Sequence, residues 1–214
     1  IKYRLNENFN FFIDASHVRK PNLIQFTWDS RQQVFEGEKV KGLSAGWKVS
    51  LAGRLFWSAT GFYRMHENVQ AVVWRGTKGD GLLNGEGRAI SYGAESGVKA
   101  ALIKGLELFG NYSWFYSQFD STDVNGLNYV YAGNRFAYAP EHSYSAGLIA
   151  KTGISEFANL IVTPWYIRRS QFWFTETNSP GLSQNGYGVF NLNAALELVN
   201  LRLTLSFYGQ NILE

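Results

Sequence analysis

Arginine and aromatic side chains gather in four stretches of this 214-residue chain. Trp28 lies near Arg31, and Trp74 is followed directly by Arg75. Tyr129, Tyr131, Arg135, Phe136 and Tyr138 crowd the third stretch. Arg168 and Arg169 precede Phe172, Trp173 and Phe174 in the fourth. A guanidinium makes charge-assisted, often bidentate hydrogen bonds to carboxylate or phosphate oxygens, while rings offer stacking surface. Rings and cations of this kind also collect at a boundary between water and an apolar medium, which for any single one of these residues is the commoner reading.

Catalytic and metal chemistry find less support. Neither Gly-x-Ser-x-Gly nor His-Glu-x-x-His occurs. His17, His66 and His142 are far apart and none belongs to a ligand-spaced pair. With no cysteine, disulfides and thiolate sites are impossible. Asp120, Asp123 and Asn125 before Gly126 depart from the EF-hand register and read as a polar surface loop. Residues 76–87 are glycine-rich but lack the Gly-Lys-Ser/Thr ending of a phosphate loop. No catalytic residue, metal or cofactor is therefore expected. The formal charge of +3 comes with scattered Lys and Arg, which gives no reason to expect nucleic acid.

The elements that must position these residues are strands. Hydrophobic residues recur with period 2 almost everywhere. Leu43, Ala45, Trp47, Val49 and Leu51 alternate with Ser44, Gly46, Lys48 and Ser50. Phe190, Leu192, Ala194, Leu196 and Leu198 alternate with Asn191, Asn193 and Glu197, and Leu201, Leu203, Leu205 and Phe207 with Arg202, Thr204 and Ser206. About ten antiparallel strands result, many of ten residues or more, long for soluble proteins. Tight turns are expected near residues 6–8, 52–53, 104–105, 152–155 and 199–200. Long polar loops are expected over roughly 19–39, 74–87, 118–139 and 171–185. Pro164 falls inside the last long strand before the final hairpin, where it removes a ladder donor. A bulge or an earlier strand end would accommodate it.

Short turns on one rim and long loops on the other mark outer-membrane barrels. No run of 18 apolar residues exists to make a membrane-spanning helix, but a barrel strand shows lipid only every second side chain. Trp47, Trp57, Trp114, Tyr116 and Tyr166 sit where an interfacial girdle would lie. A large soluble β-protein is the alternative on pattern alone. The chain opens on a strand-like segment without a signal peptide, so a removed leader or an absent N-terminal portion is expected.

Four stretches then carry a resemblance. Residues 132–148 read AGNRFAYAPEHSYSAGL, and residues 91–102 read SYGAESGVKAAL with a Gly-x-Glu before alternating residues. Residues 61–70 read GFYRMHENVQ, and residues 190–214 read FNLNAALELVNLRLTLSFYGQNILE. In order and spacing these resemble the β-barrel of TonB-dependent outer-membrane receptors. The resemblance implies an all-β fold, a transmembrane antiparallel up-and-down barrel of which about ten strands out of about 22 are present. Residues 1–214 would be one partial barrel domain, with the N-terminal plug and the final strand lying outside it.

The same resemblance implies an outer-membrane active-transport receptor of a Gram-negative bacterium, not an enzyme. It would take up a scarce nutrient, a ferric siderophore before cobalamin, haem or a glycan, with energy from the TonB complex. Trp28, Trp74, Arg75, Tyr129, Tyr131, Arg135, Phe136, Arg168, Arg169 and Trp173 would grip that chelate from the loop bases. Those residues could instead form the outer girdle or meet lipopolysaccharide phosphates, since outer-membrane lipid is the other expected partner. Glu95, Lys99, Glu107, Lys48 and Arg202 would form charge networks facing the plug. A passive porin-like channel is the competing function, selected by its own charge ring.

Overall fold

A computed structural model of the chain describes residues 1–26, 32–69, 71–73, 83–85, 87–121 and 131–213. In chain order its strands are β1 (Lys2–Asn6), β2 (Phe9–Arg19), β3 (Leu23–Phe26), β4 (Gln32–Phe35), β5 (Lys39–Leu51), β6 (Leu55–Glu67), β7 (Ala71–Val73) and β8 (Leu83–Gly85). They continue with β9 (Ala89–Ile103), β10 (Leu106–Phe119), β11 (His142–Ser155), β12 (Ala158–Arg169), β13 (Phe172–Trp173), β14 (Ser183–Gln184), β15 (Tyr187–Leu198) and β16 (Leu203–Gly209). Ten of them form one antiparallel sheet in the order β1-β2-β5-β6-β9-β10-β11-β12-β15-β16. β1 and β16 have one ladder neighbour each, so the sheet is not closed. The remaining six pair as three small hairpins, β3-β4, β7-β8 and β13-β14, inside the long loops. Period 2 revealed the ten long strands; the hairpins, of two to four residues per strand, are too short to show a period.

The central strands run 11 to 15 residues, as in the 13 of β5. At about 3.4 Å per residue and a tilt of about 45°, thirteen residues rise roughly 30 Å, the thickness of bilayer hydrocarbon. The short turns form as the residues dictate. Ala52 (φ 50°) and Gly53 (φ 65°) both take left-handed backbone between β5 and β6, which matches the strands' own twist. Gly105 (φ 79°) does the same between β9 and β10. One expected turn moves: β11 continues through Ser155, and the reversal falls at Glu156 and Phe157, not at residues 152–155. Another expectation is corrected at Arg202. It lies in the turn after β15 with φ 50°, not on a strand face.

Pro164 neither ends β12 nor bulges it. β12 pairs along its whole length with β15, Pro164 opposite Leu192. Against β11 the ladder lapses between Gly147–Trp165 and Ala150–Val162 and resumes in the same register. The Pro164 carbonyl oxygen lies beside Gly147 of β11, so the hydrogen-less nitrogen faces that strand too. The missing donor costs two bridges and no register.

Ladder register assigns every side chain to a face. One face carries Phe11, Leu43, Tyr63, Tyr92, Tyr116, Leu148, Leu196 and Leu205. The other carries Asp14, Ser44, Thr60, Glu95, Ser113, Ser145 and Asn193. Burial runs opposite to that of a soluble sheet. On the polar face Ser91, Ser117 and Asn191 are buried, whereas Leu43, Met65, Leu203, Leu205 and Phe207 are exposed on the apolar face. Among the described residues no helix or second sheet covers the leucines.

Aromatic residues on the apolar face form two bands. Trp47 meets Trp57 edge-on at 5.4 Å towards the short-turn rim. Towards the long-loop rim Tyr92 stacks on Tyr63 (6.4 Å) and Tyr116 (5.0 Å), and Tyr144 meets Tyr166 (6.4 Å). Trp57 and Tyr63 are six residues apart on β6, about 20 Å along the strand and about 14 Å in height at a tilt of about 45°, so the two bands lie within an outer-membrane apolar belt of about 25 Å. On the polar face, near the short turns, Lys99 pairs with Glu107 (2.7 Å) and Lys151 with Glu197 (2.6 Å).

Candidate functional site

At the long-loop rim β10 outruns its neighbour. Its ladder with β11 starts at Trp114–His142, which leaves residues 115–119 paired to β9 alone. An open edge must find other partners, and residues 131–141 supply them. The Phe115 amide donates to Glu141 O (2.8 Å), Phe119 to Asn134 O (3.0 Å), and Gly133 back to Phe119 O (3.1 Å). The Phe136 amide donates to Ser117 Oγ (3.1 Å). The AGNRFAYAPEH stretch is therefore an edge cap before it is anything else.

Arg135 is the key of that cap. Nη2 donates to Phe115 O (2.8 Å) and Nη1 to Glu141 Oε2 (2.9 Å). Its guanidinium carbon lies 4.5 Å from the centroid of Tyr116. Trp114 Nε1 donates to the other Glu141 oxygen (3.4 Å). The Arg135 hydrogen bond, opposed by partial burial and helped by Trp114, holds the Glu141 carboxyl below the usual carboxylate range. All of this hydrogen bonding is internal.

On the polar face beneath the cap, Tyr131, Val69, Ala89 and Phe119 form a buried apolar cluster, with Phe136 packed against it. Burial first, then the charge of Glu176, pushes the Tyr131 phenol above its ordinary value. His66 meets Phe136 edge-on at 5.5 Å. Its ring nitrogens contact Ser91 Oγ (3.0 Å) and Glu38 Oε1 (3.3 Å), and the second Glu38 oxygen accepts from Lys20. That line has the order of a Ser–His–acid triad, but Ser91 is 2 % exposed and can reach no substrate. Its work is to clamp the base of the loop between β2 and β5 onto β6 and β9. A recess of about 190 Å³ remains, lined by Glu38, His66, Val69, Phe119, Phe136, Ala137 and Glu176.

Residues 170–186 lean on the cap. Tyr138 packs against Phe172 (6.3 Å) and Phe174 (5.8 Å), and its amide donates to Trp173 O (2.7 Å). Asn134 Nδ2 donates to Glu176 O (2.8 Å). Asn178 accepts from the Arg135 amide (2.6 Å) and donates to Arg135 O (2.9 Å).

The sequence-derived site residues thus separate. Trp28, Trp74, Arg75 and Tyr129 lie outside the described residues. Tyr131, Arg135 and Phe136 come together as cap and cluster, and Trp173 joins through its backbone. Arg168 and Arg169 part company: successive strand residues face opposite ways. Arg168 pairs with Tyr144 on the apolar face, while Arg169 shares the polar face with Ser143 and lies 3.5 Å from Tyr187 Oη. Glu38, Glu176 and Asn178 escaped sequence reasoning, and His66 entered it only as an isolated histidine, because the partners that place them here are 18 or more residues away. Only the Asn-Ser-Pro-Gly run at 178–181 gave a local signal, for a turn. Among the described residues no group of three His, Asp or Glu could hold a metal ion.

The comparisons with known proteins agree with this architecture. A family model described as "TonB dependent receptor-like, beta-barrel" matches residues 1–212. No curated protein matches the chain. Among solved structures, the ferric yersiniabactin uptake receptor FyuA from Yersinia pestis superposes with a TM-score of 0.82 at 19% identity, covering 99% of this chain and 31% of its own. BauA, the ferric preacinetobactin receptor from Acinetobacter baumannii, gives 0.73 at 14%, covering 98% and 30%. The copper transporter OprC gives 0.73 at 14%, covering 99% and 32%. The chain therefore spans about a third of the length of these structures, and at such identities the likeness is one of fold. The apolar face looks out into outer-membrane lipid and the polar face into a lumen: this chain belongs to the TonB-dependent receptor β-barrel family, whose members are receptors of the Gram-negative outer membrane and not enzymes.

Proposed function

We propose that the chain is the barrel part of a receptor that captures a scarce nutrient, a ferric siderophore first of all, and imports it with energy from the TonB complex. The observation that carries this is the inside-out ten-stranded sheet, matched from residue 1 to 212 by the receptor barrel family. Support for an iron chelate comes from two fold relatives described as receptors for ferric yersiniabactin and ferric preacinetobactin, while the one described as a copper transporter keeps copper as the rival cargo. The mouth adds the partly buried Phe136 at the edge of the recess, and Arg169 stands on the lumen face with no acid bridged to it among the described residues. Outside, Arg19, Lys39 and Lys41 lie near the long-loop rim on the apolar face, Lys39 and Lys41 bridged to Glu36 and Glu67, and this basic rim supports a reading in which the outside meets lipopolysaccharide phosphates.

The test uses the full-length receptor in a host lacking its own iron receptors. Radioiron is offered as catecholate, hydroxamate and citrate chelates, with and without a functional TonB complex. Uptake of one chelate that stops when TonB is deleted is the expected result. Uptake that persists without TonB and scales linearly with concentration indicates a passive channel.

A further inference from the structure

We propose that Asn178 is a positioning residue: it locks residues 131–141 and 170–186 into one body and so fixes the shape of the receptor mouth, without touching cargo. The capture half of this proposal rests on the uptake reading above; the locking half does not.

Three kinds of contact converge. The Asn178 side chain answers the Arg135 peptide as a second strand would, accepting from its N–H at 2.6 Å and donating to its C=O at 2.9 Å. Its Nδ2 also reaches Thr175 O at 3.3 Å. Asparagine is suited to this place because the backbone there has φ 50°, a left-handed conformation that Asn tolerates better than other side chains bearing both donor and acceptor. The contact is reinforced on both flanks. On one, Asn134 donates to Glu176 O; on the other, Tyr138 donates to Trp173 O and packs against Phe172 and Phe174.

The consequence lies one residue away. Phe136 follows Arg135, packs on Phe119 at 5.2 Å and, with Ala137 and Glu176, walls the recess on the lumen side. Two of those three residues come from one loop and the third from the other. Freeing Asn178 from Arg135 removes the central tie between the walls of the recess and leaves the flanking contacts to hold them. Because residues 131–141 are also pinned to the edge of β10, the joint body inherits the rigidity of the barrel wall. This half of the mouth is preformed before cargo arrives.

The test compares Asn178→Gly with Asn178→Asp in the full-length receptor. Glycine keeps the left-handed backbone and deletes the clamp; aspartate keeps the acceptor but turns an oxygen towards the carbonyls of Arg135 and Thr175. Both variants should keep the heat-modifiable folded band on gels, which shows an intact barrel. Amide exchange at Arg135 and Tyr138 should quicken by about tenfold or more in both, as expected when a loop loses its closing contacts. The radioiron chelate that the wild type imports should need a several-fold higher concentration for half-maximal uptake at an unchanged maximal rate. Unchanged exchange in both variants overturns the lock. Faster exchange with unchanged half-saturation overturns the link to capture. If the wild type imports none of the chelates, the uptake reading fails, and exchange alone decides the lock.

Discussion

Replacing Arg135 by alanine removes the keystone of the edge cap. Three interactions vanish together. The Phe115 carbonyl loses its charged donor at 2.8 Å in a part-buried setting, and an acceptor left unsatisfied there costs about 1–3 kcal/mol. The Glu141 ion pair is worth less, about 0.2–1 kcal/mol, because the Glu141 side chain is 40% exposed against 14% for Arg135. The cation over Tyr116 adds about 0.5–1 kcal/mol. A loss of about 3 kcal/mol falls locally on residues 131–141, since the barrel ladders below are untouched. Hydrogen exchange by mass spectrometry on the full-length receptor reads it. The Gly133 and Phe119 amides, bonded across the cap, should exchange roughly 100-fold faster at one kcal-scale opening step per 1.4 kcal/mol decade. Amides of β9 should not change. Cap amides within threefold of wild type, or acceleration spread equally over β9, would refute the assignment of Arg135 as a structural key.

Other expectations follow from the same geometry. The Glu141 carboxyl is held below its usual value chiefly by Arg135. Its contribution to the cap is therefore complete above the ordinary carboxylate range and disappears only as pH falls through the lowered folded value. Cap exchange, corrected for intrinsic pH dependence, should be flat from neutral pH to pH of about 5 and rise only in stronger acid. Glycine substitutions should split by what surrounds them. Alanine at Gly147 meets the Pro164 carbonyl oxygen at 2.6 Å and the Phe109 ring at 2.5 Å, so backbone must move; alanine at Gly188 meets only the tip and ring of Tyr166. Heat modifiability should drop markedly for Gly147→Ala and little for Gly188→Ala. On β16, Leu205→Arg, two residues past the short-turn end of the strand on the lipid face, should cost about 1 kcal/mol, as expected towards an interface, whereas Ser206→Arg, one residue on and facing the lumen, should assemble like wild type.

The long strands were legible in the sequence because both faces of a membrane strand are solvated, one by lipid and one by water. Alternation such as Leu43-Ser44-Ala45-Gly46 is then uninterrupted for a whole strand. Tertiary packing imposes no further pattern. The reversal after β11 was less legible: residues 152–155 read as polar and small, but Gly153 still pairs with Asn159. Pro164 invited a break because a lost donor looks decisive locally. Yet the twelve-residue ladder to β15 carries the strand past it. The candidate site was legible by composition and not by role. Arg135 and Arg169 look alike in sequence; one is consumed by Glu141 and Phe115, the other stands on the lumen face. Only the register and the unpaired edge of β10 distinguish them. Asn178 was invisible because its partner lies 43 residues away, across two loops that share no periodic signal.

Nitroxide labels at two adjacent pairs of positions test the central claim, which concerns the direction of the apolar face. Cysteines replace Leu43, Ser44, Leu205 and Ser206 one at a time in the full-length receptor, reconstituted in a lipid bilayer. Collision with oxygen, which partitions into hydrocarbon, is compared with collision by a water-soluble nickel chelate. Labels at 43 and 205 should favour oxygen, and those at 44 and 206 should favour nickel or be shielded from both. Labels at 43 and 205 that collide with nickel as freely as their neighbours, or a pattern reversed between the two faces, would contradict an inside-out barrel.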